Sequence, residues 1–230
     1  YGSVLLPEGS VRLLLIIWTI TMSVLSFAKS ETWDDFNSSL CIEVTRPTGV
    51  FTCTGVAVSN NVVVTAAHCL EGDINKVRIF TESAYHPLNK SYNIKKFKIH
   101  PKYKSKSSRY LSDVAKIYLE DVLPVTIKIL PIFKGQIISG DLYRFGFGER
   151  NKKNLRTVIT PKLKKMDIEN KVVELDDKFS FSGDSGGPIY LKQGSETYIL
   201  AIHSTLSFGP QGKYSYNPLL ASYQTWIFEN

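Results

Sequence analysis

The residues best equipped for chemistry stand late in the chain, in Gly183-Asp184-Ser185-Gly186-Gly187-Pro188. A serine among glycines predicts a tight turn. Such a turn exposes the hydroxyl and points backbone N–H groups at one spot, so a nucleophile and the donors for a developing oxyanion can share it. The segment also fits G-x-S-x-G, the nucleophile elbow of α/β hydrolases, and chain order separates the two readings. An elbow enzyme runs serine, acid, histidine, with strands and helices alternating around them. Here only 45 residues follow Ser185, His203 is the one histidine among them, and the helices alternating with strands are absent. The elbow reading fails. The opposite order is present: Thr65-Ala66-Ala67-His68-Cys69 closes the apolar run Val62–Val64, and Ser112-Asp113-Val114-Ala115 opens another whose apolar residues would bury the carboxylate. Histidine, aspartate and serine are the residue types that acyl transfer through an activated hydroxyl requires.

The elements that must position these residues read as strands. Short apolar runs broken by turn residues recur from residue 40 onward: Cys41–Thr45, Gly55–Val58, Val62–Thr65, Lys76–Phe80, Val114–Leu119, Asp141–Phe147, Val172–Leu175, Pro188–Leu191 and Tyr198–His203. They are rich in Val, Ile, Tyr and Phe and bounded by Gly, Pro, Asn and Ser, which predicts an all-β sandwich or barrel. Leu219–Phe228 is the one stretch that predicts an amphipathic helix, with Leu219, Leu220, Tyr223 and Trp226 near one face. Asp121–Pro131 is the expected crossover between two halves. At 230 residues, 43% apolar and 21% charged, the chain is neither disordered nor multi-pass.

The longest apolar run, Leu13–Ala28, follows Arg12 and is short for a bilayer span, so it predicts a secretory signal peptide cut after Ala28. Removing residues 1–28 deletes Glu8 and Arg12 and leaves the net charge at +7. Stable membrane anchoring is not expected. Of Cys41, Cys53 and Cys69, two should pair in an oxidising compartment and one should be left over. No Cys or His spacing suits a metal. Asn37-Ser38-Ser39 and Asn89-Lys90-Ser91 are glycosylation sequons, meaningful in a eukaryotic host. Residues 90–109 and 150–165 carry Lys and Arg without an acid. They read as solvated loops first, and as a surface for acidic substrates, membranes or glycans second. Nucleic acid is excluded as a partner, because no recognised binding motif is present.

Taken together, TAAHC at 65–69, SDVAKIYL at 112–119, FGFG at 145–148, GDSGGP at 183–188 and SYQTWI at 222–227 resemble the trypsin/chymotrypsin family of serine proteases. His68 and Asp113 are 45 residues apart, as is usual there, whereas the 72 residues from Asp113 to Ser185 are short for the family. The resemblance implies two antiparallel Greek-key β-barrels, residues 29–125 and 126–230, with the site in the cleft between them and a helix at the C-terminus. It implies a His68–Asp113–Ser185 triad acting on protein or peptide substrates without cofactor or metal, and an oxyanion hole from the N–H groups of Gly183 and Ser185. Because the base works only when neutral, activity is expected to fall below about pH 6–7. Cys53–Cys69 matches the family's disulfide beside the histidine, leaving Cys41 over. The family cysteine expected at Phe181 is missing.

The resemblance also locates a specificity pocket: Phe179 at its floor, Ser180 on a wall, and His203, Ser204 and Leu206 along the strand that pairs with substrate. With no Asp at 179, cleavage after Arg or Lys is not expected, and Leu206 in place of the usual Gly narrows the mouth against large aromatic side chains. His203 before Ser204, facing Ser180, is similar to bacterial glutamyl endopeptidases, in which such a pair reads a substrate carboxylate. Acidic P1 residues are the first expectation and small apolar ones the second. Family members usually insert a freed N-terminus beside the residue that is Asp184 here. The customary activation sequence is absent, so either Lys29, freed by signal cleavage, supplies the amine, or Asp184 finds another partner, or the protein stays inactive. The competing class is a non-catalytic homologue that binds protein or acidic glycan through its basic segments.

Overall fold

The computed structural model describes residues 36–82, 90–105, 112–137, 139–148, 156–209 and 212–229. The expected signal peptide, Lys29 and the sequon at Asn89 lie outside them. Strands dominate, as expected. β1 (Ser39–Arg46), β2 (Gly49–Ser59), β3 (Val62–Thr65), β4 (Lys76–Phe80), β5 (Ser91–Ile99) and β6 (Ala115–Leu119) close into an antiparallel barrel in the order β1-β2-β3-β6-β5-β4. After the crossover come β7 (Asp141–Gly146), β8 (Thr157–Ile159), β9 (Lys162–Asp167) and β10 (Val172–Asp176). They are followed by β11 (Pro188–Gln193), β12 (Glu196–Ile202), β13 (Thr205–Gly209) and β14 (Gly212–Pro218). These eight form two antiparallel sheets, β13-β14-β10-β9 and β12-β11-β7-β8. Leu142, Val173, Leu175, Ile189, Leu191 and Leu200 from both sheets share one core.

Period-two patterning explains how the halves meet. Leu40, Ile42 and Val44 of β1, Val63 of β3 and Ile117 of β6 point into the barrel. Their neighbours Val56, Val58 and Val64 point outward into a second core shared with Phe145, Tyr190, Ile199, Ile202 and the C-terminal segment. Strands buried on both faces read as near-continuous Val/Ile runs, which is why β3 is VVVT. Leu123 and Ile127 of the crossover also bury in the barrel.

Three expectations need correction. The basic segments are not simply solvated loops: β5 and β9 run through them. In β5 the lysines face outward while Ile94, Phe97 and Ile99 pack on the barrel core. In the second segment Arg156 donates to Asn37 Oδ1 and Thr81 O at 2.9 and 2.7 Å, and Lys164 and Lys165 pair with Glu174 and Asp167 at 2.9 Å each. The C-terminal stretch is a 3-10 turn, Leu220–Tyr223, followed by a short helix α1 (Gln224–Phe228), not one helix. The sequon at Asn37 is also poorly disposed for a glycan. Its amide donates to Thr126 O at 2.8 Å and accepts from Arg156, and Ser38 and Ser39 are buried.

α1 is tied to the barrel by a buried lysine. Lys116, on the outward face of β6, donates to the carbonyls of Trp226 and Glu229 at 2.6 and 2.5 Å and lies 4.8 Å from the Trp226 ring centroid. Cations favour a helix C-terminus, where carbonyls lack intrahelical donors. Lys116→Met keeps the stem volume but strands those carbonyls, so it should destabilise by about 3 kcal/mol. That is a fall in Tm of roughly 6–12 °C for a chain of this size, read by thermal melting in a Ser185→Ala background to prevent self-digestion. An unchanged Tm would show the lysine to be incidental.

Candidate active site

Barrel pairing brings His68 to Asp113. Thr65 of β3 stands opposite Ala115 of β6 in an antiparallel register, so the residues just after β3 meet those just before β6. His68 lies in the 3-10 turn Ala67–Leu70 that follows β3, and the disulfide Cys53–Cys69 fastens that turn to β2. Closing a loop of this length contributes about 3 kcal/mol in the chain-entropy model. Cys41, the leftover cysteine, is buried beside Phe80 and Phe147.

Asp113 is fully buried, and three donors converge on it. His68 Nδ1 lies 2.7 Å from Oδ2, the His68 backbone N–H donates to Oδ1 at 2.9 Å, and Ser204 Oγ donates to Oδ2 at 2.5 Å. The carboxylate therefore fixes the imidazole with its proton on Nδ1, leaving Nε2 as the basic edge. The His68 side chain is 25% exposed, whereas its carboxylate partner is wholly buried. The bond from Ser204 ties the second half of the molecule to the His–Asp pair. Sequence reading had placed Ser204 only along the substrate strand.

Ser185 sits in the turn that leads into β11. Gly183 and Gly186 adopt φ of 96° and 81°, conformations that favour glycine. At Gly186 the approach is also close: a Cβ would lie 2.1 Å from Thr65 Oγ1 and 2.2 Å from Thr54 O. This seats the turn against β2 and the end of β3. The Ser185 carbonyl accepts from the Thr54 N–H at 2.8 Å and lies 3.8 Å from Cys69 Sγ, the residue next to His68. Gly186 N–H donates to His203 O and His203 N–H to Gly187 O, both at 2.7 Å, so the turn is stitched to the end of β12. Among the described residues no protein acceptor takes the N–H of Gly183 or Ser185. Those two groups are the ones expected to bind an oxyanion.

The expected specificity residues divide. Ser180 and His203 do face each other, buried, with Ser180 Oγ 2.6 Å from His203 Nε2. Asn217 uses its amide N–H groups on Val173 O, Ser215 O and Ser215 Oγ, so its Oδ1 faces His203 Nδ1 at 3.2 Å. That network places the imidazole proton on Nδ1 and makes Nε2 the acceptor of the Ser180 hydroxyl. Burial, reinforced by the Arg144 charge, holds the His203 pKa down at about 4 against the pull of Asp177, Asp184 and Asn217. Phe179 does not form a buried floor. It is 63% exposed, because the chain turns its carbonyl inward to Arg144 Nη2 at 3.2 Å and its ring outward. Leu206 is half-buried on β13, an edge strand.

Besides Asn217 and Asp177, two residues that touch the serine turn or its aspartate escaped the sequence reading. Thr54 contacts both Gly183 and Ser185, and Arg144 lies fully buried behind the pocket between Asp177 and Asp184. Arg144 shares the inward register of β7 with Leu142, and an arginine at an inward position is a legible signal for buried carboxylate partners.

A closed antiparallel barrel packed on further antiparallel sheets, with a His–Asp pair and a glycine-bounded serine where they meet, defines a chymotrypsin-like serine protease scaffold. The model of the family described as Trypsin matches residues 35–227, and the chain belongs to that family of serine proteases. A comparison with curated proteins gives no match. Family membership makes the protein a hydrolase of the serine protease class, with protein or peptide substrates.

Proposed function

We propose that the protein is a secreted serine endopeptidase in which Ser185 attacks the scissile carbonyl. In this reading His68 takes the serine proton and passes it to the leaving amine, while Asp113 holds the imidazole and stabilises its cation. The N–H groups of Gly183 and Ser185 receive the oxyanion, each contributing about 3–4 kcal/mol. The observation that carries the reading is the 2.7 Å contact of His68 with a fully buried, three-fold bonded Asp113, beside a serine turn with two uncommitted N–H groups. Among the described residues β13 has one edge unpaired, which suits an extended peptide added as a further strand. A disulfide suits an oxidising compartment, and among the described residues no helix is long and apolar enough to cross a membrane.

Ser180 and His203 support a preference for acidic P1 residues, with a definite proton balance. Neutral at pH 5–8, His203 must take up a proton to meet a carboxylate, and the Ser180 hydroxyl then turns from the imidazole to the substrate. A Gln side chain requires no such proton. The ratio of kcat/KM for Glu over Gln peptides should therefore fall as pH rises from about 5 to 8, by up to roughly tenfold per unit. The decisive experiment maps cut sites in a diverse peptide mixture by mass spectrometry and then takes this ratio across pH. A flat ratio would remove His203 as the reader of acid, and cuts after small apolar residues would favour the second preference. Absence of serine-dependent cuts, together with retention on heparin, would favour the non-catalytic, glycan-binding homologue.

A further inference from the structure

The carboxylate beside the nucleophile is engaged from inside the fold. Asp184 is completely buried; its Oδ1 accepts from Gly148 N–H at 2.9 Å and its Oδ2 from Phe181 N–H at 3.0 Å. The same Oδ2 lies 3.0 Å from Arg144 Nη1. A Cβ at Gly146 would stand 2.2 Å from Asp184 Oδ1, so glycine at that position opens the seat. Arg144 directs the rest of its fork to Asp177, with Nε 2.7 Å from Oδ2 and Nη2 donating to Oδ1 at 3.0 Å, and Nη2 also reaches the Phe179 carbonyl. A guanidinium can serve two carboxylates at once because its donors diverge in a rigid plane, which an ammonium cannot match. It also supplies Asp184 with the positive charge that a freed terminal amine would otherwise bring.

Thr54 holds the same turn from the barrel side. Its N–H donates to Ser185 O at 2.8 Å. Its hydroxyl donates to Gly183 O at 2.8 Å while accepting from Phe147 N–H at 2.9 Å. Phe147 precedes Gly148, the donor to Asp184, so the two clamps meet in the short segment after β7.

We propose that Arg144, through Asp184, and Thr54, through Gly183 and Ser185, are positioning residues that set the oxyanion turn in its working shape when the chain folds, so that activity awaits no freed terminus. The proposal rests on the reading of Ser185 as nucleophile.

The test uses the full chain carrying an N-terminal tag, produced in an oxidising cytoplasm where no signal peptidase acts, its intactness checked by mass spectrometry. Titration with a fluorophosphonate probe should label intact, tagged molecules to the same fraction as molecules trimmed at the N-terminus. Labelling confined to trimmed molecules would overturn the proposal. Labelling and cleavage absent from both would remove the nucleophile reading and the proposal with it. Two substitutions read the clamps themselves. Arg144→Gln should lower kcat by about 10²–10³ with KM little changed, as for loss of an oxyanion donor, and Arg144→Lys should restore part of it. Thr54→Val, which keeps the backbone bond to Ser185, should lower kcat about 10- to 100-fold through misplacement of the turn, with Thr54→Ser near wild type. A Thr54→Val enzyme with wild-type kcat, or an effect confined to KM, would overturn the role of Thr54. Because Arg144→Gln leaves two buried carboxylates facing each other and can unfold the protein, the tag experiment stands independently of it.

Discussion

Ser185→Ala should lower kcat by about a million-fold, the scale on which nucleophile and base act as a unit in serine hydrolases. The fold should not notice the change: the serine side chain is half-exposed, while the bonds that seat the turn use the backbone carbonyl of Ser185 and its neighbours. Substrate binding should persist, because the Gly183 and Ser185 N–H groups and the edge of β13 are untouched. The variant should therefore bind peptides with a Kd close to the wild-type KM and fail to react with a fluorophosphonate. Single-turnover kinetics with the same peptide supply the comparison. Retention of even one per cent of wild-type kcat, with trace contamination excluded by active-site titration, would mean that Ser185 is not the nucleophile.

Asp113→Asn should cost about ten-thousand-fold in kcat near neutral pH, the size known for this substitution in serine proteases of the family. The local geometry explains why so small a change should matter. All three groups around the carboxylate act as donors: His68 Nδ1, the His68 backbone N–H and Ser204 Oγ. An asparagine must turn its own N–H groups either toward the His68 ring and Ser204 or toward the His68 backbone N–H. If the amide faces His68, Nδ1 becomes an acceptor and the proton moves to Nε2, where it blocks uptake of the serine proton. If the amide faces the backbone N–H instead, two donors collide. KM should change little, since Asp113 is buried away from any bound peptide. Ser204→Ala, which removes one donor and leaves the carboxylate, should lie far closer to wild type. An Asp113→Asn enzyme with more than a tenth of wild-type kcat would remove Asp113 from the mechanism.

What could be read from the linear order differs from what could not for a physical reason. TAAHC, SDVA and GDSGGP are legible because each is a local demand: an apolar strand ending in a turn, an aspartate at a strand entry, glycines where φ is positive. The nine apolar runs correspond to strands because period-two burial leaves its mark on neighbouring residues. β5 and β9 were hidden by lysines, whose long stems cover apolar surface while their charges face water, so strand character survives only on the other face. β13 and β14 were hidden by Ser, Gly and Asn, several of them buried because they bond one another and His203. The exposure of Phe179 was beyond reach, because it depends on the carbonyl at 179 turning toward an arginine 35 residues earlier.

By itself, the sequence determined the all-β class, the identity and chain order of His68, Asp113 and Ser185, the disulfide candidates and the family. These follow from side-chain type, local spacing and backbone conformation, which neighbouring residues specify. The tertiary structure decided which groups share a buried space: Ser204 on Asp113, Ser180 and Asn217 on His203, Thr54 on the serine turn, and Arg144 between Asp177 and Asp184. Such contacts join residues up to 131 positions apart, as in the bond from Thr54 N–H to Ser185 O. They exist because a polar group withdrawn from water must find a partner wherever the fold has brought one.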